Sequence, residues 1–247
     1  MLVVGLALVI GDGAQGGSDT TASPPALSAD SLIRRITNDA FGLGERLKFS
    51  IGYGPITAGT AWLEVADTNS YEGHLCYKIS SHTSSNGFFD SFYKVRDTIL
   101  SQLDVDGLFS RYFFKVLHEG SYHSSREIIL DHVTRRAFFR KGNDSPDTVA
   151  LLPFANDELS VLYYARTQPL KVGTSIRVPA ISGDTSQMIE VRVLARETVE
   201  VPAGVFKQEG AIKVWLTDDR LRMPVLMKSK VVIGSVSVIL QEVRRGT

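Results

Sequence analysis

The chain has 247 residues, of which 22% are charged, and its 27 lysines and arginines balance its 27 aspartates and glutamates. A neutral chain has no net basic field for phosphate groups, which argues against nucleic acid as a partner. The single cysteine, Cys76, excludes an intrachain disulfide and zinc sites made of paired cysteines, and we expect its side chain to be inert.

An apolar segment at residues 2–10 is the first element of the chain. It is too short to span a bilayer, and small side chains follow at Ala14 and Gly16, where a signal peptidase would read them. The segment therefore predicts an export signal without its basic region, and a periplasmic or otherwise exported protein that is not integral to the membrane. A buried strand is the alternative interpretation. Residues 1–30 are expected to comprise this leader and a flexible segment.

The remaining residues, 31–247, are predicted to form a single β-rich domain. A short helix is expected near 29–40, because Ser28 and Asp30 are residue types that cap helices. From Arg46 onwards apolar and polar side chains alternate, which buries one face of a strand and exposes the other. The alternation predicts strands at about 45–53, 57–67, 74–84, 91–102, 110–119, 122–130, 135–141, 174–179, 187–195, 197–201, 211–217, 224–233 and 235–243.

One helical segment interrupts these strands. Residues 157–166 begin with Asp157, which suits a helix start, and end with Arg166, which suits the negative end of the helix dipole. A sheet of about 11–12 strands rarely stays open and flat. The sequence therefore predicts a mainly β fold, in which a strongly curved antiparallel sheet or incomplete barrel holds one helix against its concave face.

Two charged side chains fall at positions where burial is expected. Asp97 shares the apolar face of its strand with Tyr93, and a lone buried carboxylate is costly without a partner. A helix packed in a curved sheet could bring Arg166 to Asp97 as a bidentate ion pair, which we predict. Alternatively, Asp97 contacts a ligand in a pocket. The expected pocket residues are Asp97, Arg166, Tyr163, Tyr93 and Phe49.

A charged connection joins two strands near the C-terminus. In residues 215–224 (Trp-Leu-Thr-Asp-Asp-Arg-Leu-Arg-Met-Pro), Asp218 and Asp219 could bind a hard cation. Two adjacent carboxylates fit a β-turn better, with an aspartate bonding its own backbone and Arg220 or Arg222 pairing nearby. We therefore predict no metal site and no cofactor, and a structural role for Trp215, Asp218, Asp219, Arg222 and the helix-capping Asp157.

Several short motifs together resemble one protein family. They are Tyr93-x-Val-x-Asp97, Asp157-x-Leu-Ser160, Tyr163-x-x-Arg166, Val201-Pro-Ala-Gly204 and the tryptophan-containing residues 215–225. Across about residues 41–243 the chain resembles an uncharacterised bacterial cell-envelope family, catalogued as domain of unknown function 3108. The resemblance implies an exported, β-rich protein and no particular activity.

One departure from that family pattern is visible. Members usually run a further strand between the Pro-Ala-Gly segment and the tryptophan-bearing strand, whereas only residues 205–213 intervene here. The resemblance therefore implies either an exposed strand edge at this place or an altered pairing of the neighbouring strands.

These features favour a binding module of the cell envelope that acts without catalysis. Its apolar-lined sheet would hold a hydrophobic small molecule, a lipid or an extended envelope protein. The alternative is a structural or assembly protein that acts through an exposed strand edge. A hydrolase that uses Asp97 with a histidine is less favoured, because the sequence contains no nucleophile elbow, phosphate loop or HExxH motif.

Overall fold

A single antiparallel sheet contains all fourteen strands in the part of the chain that the computed structural model describes, residues 2–9, 34–198, 212–230 and 235–246. The strands are β1 (Leu2–Val9), β2 (Arg46–Tyr53), β3 (Ile56–Tyr71), β4 (His74–Ser85), β5 (Arg96–Asp104), β6 (Ser110–Glu119), β7 (Tyr122–Asp131), β8 (Arg136–Lys141), β9 (Asp147–Ala150), β10 (Ser175–Ser182), β11 (Thr185–Thr198), β12 (Ile212–Thr217), β13 (Pro224–Lys230) and β14 (Ser235–Arg244). The helices are α1 (Gly87–Asp90) and α2 (Ser160–Thr167). The predicted mainly β fold class is confirmed.

The order across the sheet is β10-β11-β1-β12-β13-β14-β2-β3-β4-β5-β6-β7-β8-β9. From β2 to β9 each strand pairs with the next one along the chain, and the pairing of β14 with β2 joins the C-terminal strands to this series. The outermost strands, β10 and β9, are the two ends of this order, so the sheet is not closed.

The strand count exceeds the predicted 11–12. The additional strands are β1, which was expected to belong to a leader, and β9, which was missed because it is short and lies in a polar stretch beside Pro146. In the other direction, β11 is one continuous strand where two were expected. The alternation itself was a reliable guide, since Leu47 and Phe49 of β2 are fully buried while their neighbours are half-buried.

The apolar N-terminal segment forms strand β1, which lies between β11 and β12. Val3 is opposite Glu197 on one side and Thr217 on the other. β11 and β12 flank the connection in which the family resemblance implied altered pairing, and each of them pairs with β1. Residues 199–211 of that connection lie outside the described part of the chain, and export of the protein remains a prediction.

The helix expected near 29–40 is not formed over residues 34–40, and residues 29–33 lie outside the described ranges. The Asn38 side-chain oxygen accepts hydrogen bonds from the backbone N–H groups of Ala40 and Phe41, a local turn that competes with a helix. The N–H of Ile36 donates to Asp106. This segment therefore bonds to the β5–β6 turn rather than to itself.

Helix α2 forms close to the predicted residues 157–166, and it packs on one face of the sheet. Tyr163 belongs to a core cluster with Leu47 and Phe49 of β2, whereas Val161 packs in a second cluster with Val191 of β11. The helix therefore contacts strands from both halves of the sheet, which places it inside the curve.

Candidate functional site

A cavity of about 760 Å³ lies between α2 and the sheet. Its lining is almost entirely apolar on the central strands, with Phe49 and Leu63 among the contributors, and Leu159, Leu162 and Ala165 cover it from the helix side. Further lining residues come from strands far apart in the sheet order; they are Val191, Val214, Met227, Val238, Thr83 and Asp97. Since β11 and β5 face the same cavity, the sheet must curve around it.

The wall of the cavity depends on a close approach between β3 and β4. A Cβ atom on Gly59 would lie 2.2 Å from the carbonyl oxygen of Ser84 and 2.9 Å from the Cα of Ser85. Both neighbours are backbone atoms, which cannot rotate away. Only glycine therefore fits at position 59 in this strand arrangement.

Helix α1 and the residues after it form the rim beside β4. The Asn86 side-chain oxygen accepts a hydrogen bond from the N–H of Phe89, and its amide donates to the carbonyl of Thr57 at 2.6 Å. This cap fixes α1 against β3 and lets Phe89 and Tyr93 line the cavity. The ring of Tyr93 lies over Gly120, where a Cβ atom would approach it to 2.9 Å.

A pair of carboxyl groups, Asp97 of β5 and Glu119 of β6, lines the cavity near Tyr93. Asp97 accepts a hydrogen bond from the backbone N–H of His118 at 3.0 Å, and its carboxyl group lies near enough to that of Glu119 to influence the ionisation of Glu119. Burial raises the pKa of Glu119, the nearby carboxyl group of Asp97 raises it further, and Lys115 opposes the shift. Glu119 therefore holds its proton more tightly than an isolated glutamate does.

A third carboxylate at the cavity, Glu158, is compensated by cations. The Nζ atom of Lys115 lies 2.5 Å from one oxygen of Glu158, and a guanidinium nitrogen of Arg126 lies 4.0 Å from the other. No lysine or arginine in the described ranges lies within 4 Å of the Asp97 or Glu119 carboxylates. Asp97 and Glu119 are therefore the cavity carboxylates without a direct ion pair among the described residues, and Lys115 acts on Glu119 only from a longer distance.

The predicted Asp97–Arg166 ion pair is wrong, because Arg166 binds Glu45 instead. Two guanidinium nitrogens of Arg166 donate to the two carboxylate oxygens of Glu45 at 2.7 and 2.8 Å. Further bonds run to the carbonyl oxygens of Ala40 at 2.7 Å and Leu221 at 3.1 Å. The last turn of α2 thus faces the segment before β2.

The structure divides the five expected pocket residues into two groups. Phe49, Tyr93 and Asp97 line the cavity, whereas Tyr163 and Arg166 are 0% exposed and lie in the core. Tyr163 packs edge-to-face on Phe41 with ring centroids 4.9 Å apart. The two helix residues therefore hold α2 in place rather than face the cavity, and contact of the other three with a ligand remains a prediction.

Asp157 lies fully buried at the start of α2. One carboxylate oxygen accepts from the N–H groups of Leu159 and Ser160 at 2.8 Å each, and the other accepts from the hydroxyls of Ser101 and Ser110 at 2.5 Å each. Burial raises the pKa of Asp157, and these hydrogen bonds oppose the shift. Asp157 therefore ties the helix start to β5 and β6.

The tryptophan-containing connection forms a hydrogen-bonded turn. Asp219 accepts from the hydroxyl of Thr217 at 2.7 Å and from the N–H of Arg222 at 3.1 Å, and Asp218 lies 3.2 Å from Arg196. The Arg222 guanidinium donates to the carbonyls of Arg166, at 2.9 Å, and Gln168. Trp215 is buried at the base of this turn in β12. The connection thus caps the C-terminal end of α2.

The other polar candidates carry no evident site. The rings of His118 and His123 face each other across the β6–β7 hairpin, 4.9 Å apart. Within the described residues no three histidine, cysteine or acidic side chains are grouped as a metal site. Cys76 is fully buried, and burial raises the pKa of its thiol to about 12, which keeps it protonated and unreactive.

Two functional candidates escaped the sequence reasoning. Glu45 precedes β2 in an irregular segment, so no periodicity marked it as buried. Glu119 ends β6 beside the Gly120 turn, where a glutamate is ordinarily exposed. The only available signal for Glu119 was its place on the same sheet face as Asp97, since Asp97 lies diagonally across the β5–β6 pair.

Comparison with known proteins identifies a family and a related fold. In the described ranges no helix has the length and apolarity needed to cross a membrane. A search of curated proteins found no match. Among solved structures, the "Beta-barrel-like Protein of Domain of Unknown Function DUF1849 from Brucella abortus" is similar, with 10% identity and a TM-score of 0.50 over 84% of this chain and 100% of that one. At this identity the likeness concerns the fold alone.

The family model described as "Protein of unknown function (DUF3108)" matches residues 48–241. The matched range includes the Asp97 strand, helix α2 and the tryptophan-containing turn, which confirms the resemblance inferred from those motifs. It says nothing about the cellular compartment. The chain therefore belongs to the DUF3108 family of proteins of unknown function.

Proposed function

We propose that this protein is an exported envelope protein that binds an apolar small molecule or lipid in the cavity under α2, without catalysing a reaction. The observation that carries this proposal is the cavity itself, about 760 Å³ in volume and lined by apolar side chains from strands β2, β3, β11, β13 and β14 and from α2. Ligand sites are typically concave, mostly apolar and of this size.

The strand-edge alternative has weaker support. One edge of the sheet is β9, a strand of four residues, and the other is β10, which contains Pro179. Short edge strands and edge prolines are devices that discourage pairing with another chain. The described edges therefore favour ligand binding in the cavity over recruitment of a partner strand.

Binding can be tested with a fluorescent apolar probe, N-phenyl-1-naphthylamine, and a variant with a filled cavity. Val238 of β14 lines the cavity, so Val238→Trp should reduce probe binding. Val243→Trp is the matched control, because Val243 lies on the same strand, is exposed and does not line the cavity. Equal probe binding by both variants and the parent protein would count against the cavity as the site.

Export needs a separate measurement. The motive is the apolar segment at residues 2–10 followed by Ala14 and Gly16. Expressed with an upstream start that restores a basic region, the protein should appear in the periplasm with a new N-terminus near Gly17. Retention of the full-length chain in the cytoplasm would contradict the export part of the proposal.

A further inference from the structure

We propose that the cavity selects amphiphiles that carry a cationic, ammonium-type head on an apolar body, with Asp97 and Glu119 binding the head. This inference rests on the proposed function and adds the chemical class of the ligand. It follows from the distribution of charge around the cavity, from an aromatic ring beside the acidic pair, and from the apolar character of the remaining wall.

Among the described residues, the charged side chains that line the cavity are all acidic. They are Asp97, Glu119 and Glu158. Glu158 forms ion pairs with Lys115 and, at 4.0 Å, with Arg126. A ligand head group in the cavity would therefore meet the carboxyl groups of Asp97 and Glu119. An anionic head such as a carboxylate would be repelled there, whereas a cationic head would be attracted to the two carboxyl groups.

The aromatic neighbours fit the same head group. Tyr93 and Phe89 line the cavity, and the Tyr93 ring lies over the backbone of Gly120, the residue that follows Glu119. Aromatic faces next to carboxylates are the usual means by which proteins recognise alkylammonium groups. The apolar side chains along β2, β3 and β14 would then accommodate the tail.

Within the described residues, Asp97 is positioned by a hydrogen bond and not by an ion pair. Its hydrogen bond from the His118 backbone fixes one oxygen, and Thr83, which also lines the cavity, is its cross-strand neighbour. The carboxyl group is therefore positioned before any ligand binds, which lowers the entropic cost of binding the head.

The test compares three probes with the same twelve-carbon tail: dodecyltrimethylammonium and dodecanoate, each below its micelle concentration, and dodecanol below its solubility limit. Their affinities for the full chain are measured by displacement of N-phenyl-1-naphthylamine. We expect the ammonium probe to bind about tenfold or more tighter than dodecanoate, the order expected for one desolvated cation contact. In the double variant Asp97→Asn/Glu119→Gln this preference should fall to about onefold while dodecanol binding is retained.

Asn at position 97 keeps the oxygen that accepts the His118 N–H, so the variant preserves the local fold. The control Glu72→Gln/Asp144→Asn makes the same change in net charge at two exposed positions outside the cavity, and it should keep the preference. If the three probes bind the parent protein equally, or dodecanoate binds tightest, the head-group inference is wrong while the apolar cavity stands. If no probe binds, the proposed function fails as well.

Discussion

Replacing Arg166 with methionine would leave the carboxylate of Glu45 buried without its counterion. The side chains of Arg166 and Glu45 are 0% and 5% exposed. The guanidinium also donates hydrogen bonds to the carbonyl oxygens of Ala40 and Leu221. Removing one partner of a buried pair typically costs about 3–5 kcal/mol of unfolding free energy. That is a large part of the 5–15 kcal/mol by which a typical domain is stable.

A double-mutant cycle separates the interaction energy of the Arg166–Glu45 pair from the other effects of each substitution on the unfolding free energy. Arg166→Met loses four hydrogen bonds and strands a carboxylate, whereas Glu45→Gln keeps an acceptor and strands a guanidinium. In the double variant neither charge remains buried alone. We therefore expect the double change to cost well below the sum of the single changes, with a coupling of about 1–3 kcal/mol.

Urea unfolding followed by tryptophan fluorescence measures these differences, provided that the slope of the transition is unchanged. Arg192 and Glu190 provide a control pair of the same residue types, 2.9 Å apart at the surface, and Arg192→Met should change the midpoint little because solvent screens that pair. Single-variant costs as small as those of the control, or strictly additive costs, would refute the view that the Arg166–Glu45 pair anchors α2.

Three further outcomes are expected. Gly59→Ala should destabilise the protein strongly, because the new Cβ atom would lie 2.2 Å from the backbone of Ser84. The control Gly87→Ala should be tolerated, since no atom lies within 4 Å of a Cβ at that position. Equal melting temperatures of the two variants would contradict this expectation. Burial lowers the pKa of His132 from 6.5 to about 4. As pH falls, the unfolded chain therefore binds this proton before the folded protein does. The stability that neutral His132 contributes is present above pH 6.5 and is lost towards pH 4. Between pH 7 and pH 4 the unfolding free energy of the His132→Gln variant should therefore fall by about 3 kcal/mol less than that of the parent protein. An equal fall in both proteins would argue against this role of His132. Tyr163→Phe should leave stability unchanged or raise it by about 1 kcal/mol, since the buried hydroxyl has no hydrogen-bond partner in the described residues; a clear loss in urea unfolding would show that the hydroxyl is satisfied.

Local periodicity was enough to place side chains on the inward face of the sheet, while their contact with a ligand stays a prediction. Phe49, Tyr93 and Asp97 were assigned to inward strand faces, and all three line the cavity, although β5 begins at Arg96 and Tyr93 precedes it rather than lying in the expected strand 91–102. Alternation between faces follows from backbone geometry alone, so it can be seen without knowledge of the partner strands. The helix expected over 157–166 was recognised from its terminal charges and forms over Ser160–Thr167. Its N-cap is Leu159 rather than Asp157, whose carboxylate accepts from the N–H groups of Leu159 and Ser160.

The pairing of Arg166 could not be predicted in the same way. Its partner Glu45 is 121 residues away in the chain and lies in a segment without regular structure, so no spacing rule connects the two. The helix near 29–40 failed because Asn38 supports a turn and Ile36 bonds to a distant strand connection. Long-range contacts decided both cases, and local sequence does not contain them.

The central position of β1 sets an order of events during synthesis. The residues that pair with Val3, namely Glu197 and Thr217, are among the last fifth or so of the chain to be made. At 5–20 residues per second, residues 2–9 wait roughly ten to forty seconds for both partner strands. During that time their backbone groups have no place in the sheet and are open to any factor that binds apolar segments on nascent chains. Residues 2–9 would act as a leader only if such a factor bound them before β11 and β12 were synthesised, whereas otherwise they would pair as β1.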